Sequence, residues 1–129
     1  MTMLDPWRHA ADIAERLQQP DGSLITVLGA QAWCDKCRRL RPEFERLAAR
    51  QGRLLNTAWL WLDLEDHAEF LGRFIPEDLP LLLHFREGRL LECGIVEAFE
   101  NAGWRLQPMN EPENLPSLWA TFSMENWAK

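Results

Sequence analysis

Cys34 and Cys37 stand in the run Trp33-Cys34-Asp35-Lys36-Cys37, and the chain's third cysteine, Cys93, lies far from them. On a helix, residues three apart share a face, close enough for a disulfide after modest side-chain adjustment. A helix beginning near Cys34 puts the first sulfur beside unpaired backbone N–H groups and the positive end of the helix dipole, which favour a thiolate. Lys36, Arg38 and Arg39 add positive charge and Asp35 opposes them, so the expectation is a lowered thiol pKa. The chemistry that follows is thiol–disulfide exchange. Cys34 attacks a partner's disulfide, and Cys37 attacks the mixed disulfide, releasing the reduced partner and leaving Cys34–Cys37 oxidised. No metal or organic cofactor is required.

C-x-x-C is also a zinc-binding spacing. A structural four-cysteine site wants a second close pair, however, whereas Cys93 stands alone and His9, His67 and His84 show no close ligand spacing. Redox chemistry is the stronger reading, and no metal site is assigned.

The elements that position the pair follow from local pattern. Asp5 to Gln18 places Trp7, Ala10, Ala11, Ile13, Ala14 and Leu17 at helical intervals, and Pro20-Asp21-Gly22 stops the run. Ser23 to Gly29 is β-rich and apolar without alternation, as expected of a parallel strand covered on both faces. After Trp33, Leu40, Phe44, Leu47 and Ala48 share a helical face; Pro42 should interrupt and kink that helix, and Gly52 should end it. Asn56 to Asp63 reads as a strand with Trp59 and Trp61 on one face and Leu60 and Leu62 on the other. A short helix is expected within Glu65 to Phe74. Leu81 to Phe85 reads as a strand, Arg86-Glu87-Gly88 as a turn, and Arg89 to Cys93 as an antiparallel return. From Glu97 to Pro116 the signal is poor, with a short helix expected around Ala98. Leu118, Phe122, Met124 and Trp127 suggest a closing helix. The order predicts an α/β sandwich, helices flanking a mixed central sheet, in one domain.

The chain has 129 residues, 47% hydrophobic and 26% charged, which fits one globular domain. Twenty acidic against fourteen basic residues give a formal charge of -6, which argues against nucleic acid as a partner. The first twenty residues carry Asp5, Arg8, Asp12, Glu15 and Arg16 and lack a signal peptide's apolar run, and no stretch reaches the roughly 18 apolar residues of a bilayer span. A cytoplasmic monomer that engages no membrane is the expectation.

The segment from Ser23 to about Cys93, just over half of the chain, resembles thioredoxin. Ala32-Trp33-Cys34-x-x-Cys37, Pro42 five residues beyond, Asp63 at a strand end, and Leu79-Pro80-Leu81-Leu82-Leu83-His84-Phe85-x-x-Gly88 carry the likeness. The resemblance implies a thioredoxin-like three-layer sandwich, a cis Pro80 beside the cysteine pair, and a Leu79 backbone that pairs with extended substrate. It also implies protein disulfides as substrates and an electron-donor reductase as a partner, with Trp33, Leu79 and Pro80 shaping the substrate groove. Residues 1–22 form an N-terminal helix and turn, and 97–129 a less typical extension. The departures are specific. The family's Gly-Pro dipeptide is Asp35-Lys36, its buried aspartate six residues before the first cysteine is Leu28, the lysine partner of that aspartate is Trp59, and the threonine after the cis proline is Leu81. Leu28 and the unusual C-terminal region motivate a second reading, a redox-inactive binding or chaperone module on the same fold.

Other residues with chemical potential have plainer readings. Cys93 in a strand behaves as a small apolar residue. Trp59, Trp61, Trp104, Trp119 and Trp127 are packing residues, Lys36 to Arg41 a solvated helix face, His84 a satisfied strand histidine and His67 a surface residue. Asp63 and Glu65-Asp66 read as a strand end and helix cap.

Overall fold

Leu24 to Gly29 is fully enclosed, and the strand that contains it, β1 (Ser23–Gly29), is the second strand of a five-stranded sheet. The computed structural model describes residues 3–51, 56–100, 102–124 and 127. β1 pairs in parallel with β2 (Thr57–Asp63), so that Gly29 lies opposite Asp63. On its other side it pairs antiparallel with β3 (Leu81–Arg86). β4 (Arg89–Glu100) and β5 (Gly103–Pro108) complete the sheet in the order β2-β1-β3-β4-β5.

Alternation along the strands divides the core in two. Leu24, Leu28, Leu60, Leu62, Leu81 and Leu83 face Ile13 and Leu17 of α1 (Ala10–Leu17), Phe70 and Leu71 of α3 (Ala68–Leu71), and Leu118 and Phe122 of α4 (Leu118–Phe122). Ile25, Val27, Trp59, Trp61 and Leu82 face Leu40, Phe44, Leu47 and Ala48 of α2 (Asp35–Arg50). The result is a three-layer α/β sandwich with a mixed sheet. Phe44, fully buried, lies with its ring 5.9 Å from Trp59, 5.9 Å from Trp61 and 5.4 Å from Phe99. Truncating such a side chain to alanine costs on the order of 3–5 kcal/mol.

Several elements differ from the sequence expectation. No helix forms around Ala98; β4 continues to Glu100 and β5 follows. The register of the β4–β5 pair shifts between Val96 and Ala98, so the apolar positions Val96 and Phe99 fall out of step and the period-2 signal is lost. The first helix starts at Ala10, because Pro6 to Arg8 form a turn on Asp5: the Arg8 and His9 N–H groups donate to its carbonyl, and the Trp7 N–H to its carboxylate. Trp7 instead stacks on Phe70, with ring centroids 4.7 Å apart. The third helix is confined to Ala68–Leu71, and the closing helix to Leu118–Phe122. Trp127 nonetheless packs on Phe70 and Phe122, each at 5.0 Å, whereas Met124 is exposed. α2 runs through Pro42 to Arg50 rather than being interrupted there. Gly52, the expected helix end, lies outside the described residues.

Candidate active site

The turn from β1 into α2 builds the site. Gly29, the last residue of β1, has no side chain because the Trp61 indole occupies that space: a Cβ there would come within 2.5 Å of its Cζ2. The loop then closes on itself, with the Cys34 N–H donating to the Ala30 carbonyl at 3.1 Å. Cys34 is the N-cap of α2, extended at φ -112° and ψ 103°. Its Sγ accepts the Cys37 N–H at 3.1 Å, and its carbonyl accepts the Arg38 N–H. One of the helix's orphan donors is thus aimed at the sulfur, the arrangement that favours negative charge there.

Cys34 and Cys37 are joined as a disulfide with Cα atoms 5.2 Å apart. Their exposure differs. Cys34 is half-buried, whereas Cys37 is 0% exposed behind it, in the apolar cluster with Ala30, Leu40, Phe44 and Leu79. Only Cys34 is open to attack on, or by, another molecule. Trp33 projects beside it at 62% exposure. Arg38 does not focus its charge on the sulfur: it forms an ion pair with Asp35 and donates to the Gln31 carbonyl.

The opposite wall comes from the segment before β3. Trp33, Cys34, Asp35 and Lys36 face Pro76, Glu77, Asp78 and Leu79 across a groove of about 350 Å³. The Leu79–Pro80 peptide is cis. Pro80 is buried, and its carbonyl accepts the Val96 N–H at 2.9 Å, which ties the segment to β4. The Leu79 N–H donates to the Asp78 carboxylate at 2.8 Å, so that donor is already engaged. Of the residues singled out from the sequence, Trp33, Cys34 and Leu79 line one groove, with Cys37 and Pro80 buried alongside.

Two features of the site escape sequence reasoning. The first is Asp63, which does cap the chain beyond β2 by accepting the Glu65 and Asp66 N–H groups. Its other oxygen accepts the Gln31 N–H at 2.8 Å, which reaches into the loop before Trp33. Burial would raise the Asp63 pKa, but these three N–H donors, helped by His67, hold it below the ordinary value. His67 is correspondingly less of a surface residue than its sequence suggests: its Nδ1 accepts the Asp63 N–H at 2.9 Å. Burial lowers its pKa, more than the carboxylates of Asp5, Asp66 and Asp63 raise it. The second is the Asp78 contact to Leu79. The only sequence signal for either is a carboxylate beside an apolar strand.

The remaining candidates lie elsewhere. Cys93 sits on the opposite face of the sheet from Cys37, and its Sγ donates weakly to the Met109 and Asn110 carbonyls at 3.5 and 3.7 Å. Burial pushes its thiol pKa up, and Glu111 and Glu92 add to this. His84 packs edge-on against Trp104 at 5.6 Å, and burial lowers its pKa against the pull of Glu92. Among the described residues, no group of three or more His, Cys, Asp or Glu side chains could hold a metal ion. No helix among them is long and apolar enough to cross a membrane.

No family model matches the chain. It is similar to an Arabidopsis thaliana protein that carries the name thioredoxin H10, at 27% identity over 71 residues, 55% of this chain. That stretch is 44% of the relative, so the chain spans under half the length of the curated protein it matches. Similar solved structures include spinach chloroplast thioredoxin f, at 20% identity and TM-score 0.46 over 58% of this chain and 60% of that one. A variant thioredoxin from Halobacterium salinarum aligns at 21% identity and TM-score 0.46, over 58% of this chain and 62% of that one. Malassezia sympodialis thioredoxin aligns at 16% identity and TM-score 0.49, over 63% and 69%. Over the matched stretch the chain is similar to a thioredoxin, and its mixed five-stranded sheet with flanking helices, the C-x-x-C turn at the end of β1 and the cis proline before β3 make the fold thioredoxin-like.

Proposed function

We propose that the chain is a thiol–disulfide oxidoreductase that exchanges disulfides with partner proteins, in the reducing direction. The observation that carries this reading is the unequal exposure of a bonded pair: Cys34 opens to a groove, and Cys37 lies buried directly behind it. In the reduced state the Cys34 thiolate attacks one sulfur of the partner's disulfide, forming a Cys34–partner bond and releasing the other partner sulfur as thiolate. The Cys37 thiolate then attacks the Cys34 sulfur. The Cys34–Cys37 bond forms, the mixed bond breaks, and two electrons and two protons have passed to the partner. Trp33, Leu79 and Pro80 shape the groove in which the partner's cysteine lies. The cycle needs no cofactor, and an electron-donor reductase would restore the dithiol.

The second reading, a binding or chaperone module without turnover, draws on Leu28 and Cys37. Cys37 is fully buried in the apolar cluster on the α2 face, and Leu28, fully buried on the opposite face of the sheet, supplies it no titratable side chain.

Equilibration in graded thiol/disulfide buffers, with thiol trapping, separates the two. A reversible two-electron transition near about -270 mV supports a reductase, and one near about -120 mV an oxidant. No transition, or full disulfide-reductase activity in Cys34→Ser, overturns the proposal. Partner capture that survives replacement of both cysteines would favour the binding module.

A further inference from the structure

The groove at Cys34 does not end at Asp78. Pro76, Glu77 and Asp78 form one wall of it and, on their other side, one wall of a second and larger cleft of about 550 Å³. The far wall of that cleft is the segment Met109 to Glu113, which follows β5. Phe74 and Met109 supply apolar surface over the buried Leu81 and Ile95, and Ile75 stands at its edge at 81% exposure. Glu77, Asp78, Glu111 and Glu113, all exposed, supply negative charge on both walls. Among the described residues, none of these four carboxylates has an ion-pair partner, whereas Asp12, Asp21, Asp35, Glu45 and Glu100 each pair with an arginine. Among the described residues that line the two clefts, Lys36 is the one cation, and it lies on the Cys34 side. Cys93 holds the far wall from beneath, through the Met109 and Asn110 carbonyls.

We propose that this second cleft binds a basic, extended segment of the substrate protein that flanks the disulfide Cys34 attacks. The inference rests on the exchange reaction proposed above and names its substrate class. Its occupant is argued from charge complementarity and continuity: a chain seated across Cys34 continues past Pro76–Asp78 into the cleft. There, Lys or Arg stems lie along Phe74 and Met109 while their charged ends meet carboxylates from both sides. An acidic flank would be repelled by the same four groups, so the cleft selects as well as binds.

The test uses two fluorescently labelled peptides without cysteine, alike except that Lys-Arg-Lys in one is Glu-Glu-Glu in the other, with serine in the cysteine position. Binding to the intact chain is read by anisotropy at low salt and at high salt. The expected result is that the basic peptide binds about tenfold or more tightly at low salt, that the gap shrinks in high salt, and that Glu111→Gln with Glu113→Gln removes most of it. Equal binding of the two peptides, binding of neither, or a preference unmoved by the double substitution overturns the proposal. Turnover of a small neutral disulfide by the unaltered chain is measured separately. Failure there would overturn the exchange reaction, while the peptide titration still decides the cleft.

Discussion

The carboxylate of Asp63 accepts the backbone N–H of Gln31 at 2.8 Å, so the last residue of β2 holds the loop that delivers Cys34. Asp63 is 3% exposed and accepts three backbone N–H groups in all. Replacing it with alanine strands those donors at a nearly closed corner. Asp63→Ala should lower the unfolding free energy by about 3 kcal/mol, and Asp63→Asn, which keeps one carbonyl oxygen, by less. Urea titration followed by tryptophan fluorescence measures both. A loss below about 1 kcal/mol for the alanine variant would show that the loop holds itself.

Acid should loosen the same corner in two stages. The Asp63 pKa is below the ordinary 3.8, so its contribution is complete above that value and is lost as pH falls through the lower native one. The His67 pKa is below 6.5 because of burial, so the unfolded chain binds the proton first and stability falls as pH drops from 6.5. Protonation also removes the Nδ1 acceptor used by the Asp63 N–H. His84 has the same sign, so the His67 share is read by difference. Urea midpoints from about pH 8 down to about pH 5 should decline less in His67→Gln than in the unaltered chain. Parallel curves would remove His67 from the account.

The Leu79 N–H is occupied by Asp78 at 2.8 Å, so a substrate that pairs with that backbone as proposed would have to displace it. Asp78→Ala frees the donor. For a neutral peptide disulfide, KM should fall about fivefold, the equivalent of one net hydrogen bond near 1 kcal/mol, with kcat little changed. An unchanged or higher KM would mean that Asp78 orders Leu79 for binding instead of competing with it.

Gly29 is required by the Trp61 ring at 2.5 Å from where a Cβ would stand. Gly29→Ala should cost about 1–3 kcal/mol through displacement of Trp61, visible as a fall in the urea midpoint and a changed tryptophan emission. Pairing the substitution with Trp61→Leu should recover part of the loss.

The raised pKa and burial of Cys93 make it the slow thiol. After reduction, iodoacetamide should modify Cys34 first and Cys93 at least about tenfold more slowly until denaturant is added. Peptide mapping over time gives the order.

The cysteine pair and the strands that frame it were legible because each depends on local pattern. Cys34 and Cys37 follow an unalternating apolar strand, and Trp59 and Trp61 alternate with Leu60 and Leu62 as a sheet buried on both faces requires. What was missed depends on contacts between distant residues or on a local break in period. β5 was hidden because the shift between Val96 and Ala98 puts Phe99 out of phase with Val96. The Asp63–Gln31 bond joins residues 32 positions apart, a separation at which neither residue type carries a signal. The cleft wall at Met109 to Glu113 exists only once β5 has carried the chain back beside the segment before Pro80.

Cys93 and the Cys34–Cys37 pair lie on opposite sides of a sheet without a gap between β1, β3 and β4. No rotamer change brings the third sulfur to the other two, so the intact molecule keeps a single choice of bond. A cross-link within one molecule between Cys93 and either partner is therefore a written record that the sheet has once come apart, and its yield in an aged sample sets a lower bound on the molecules that opened.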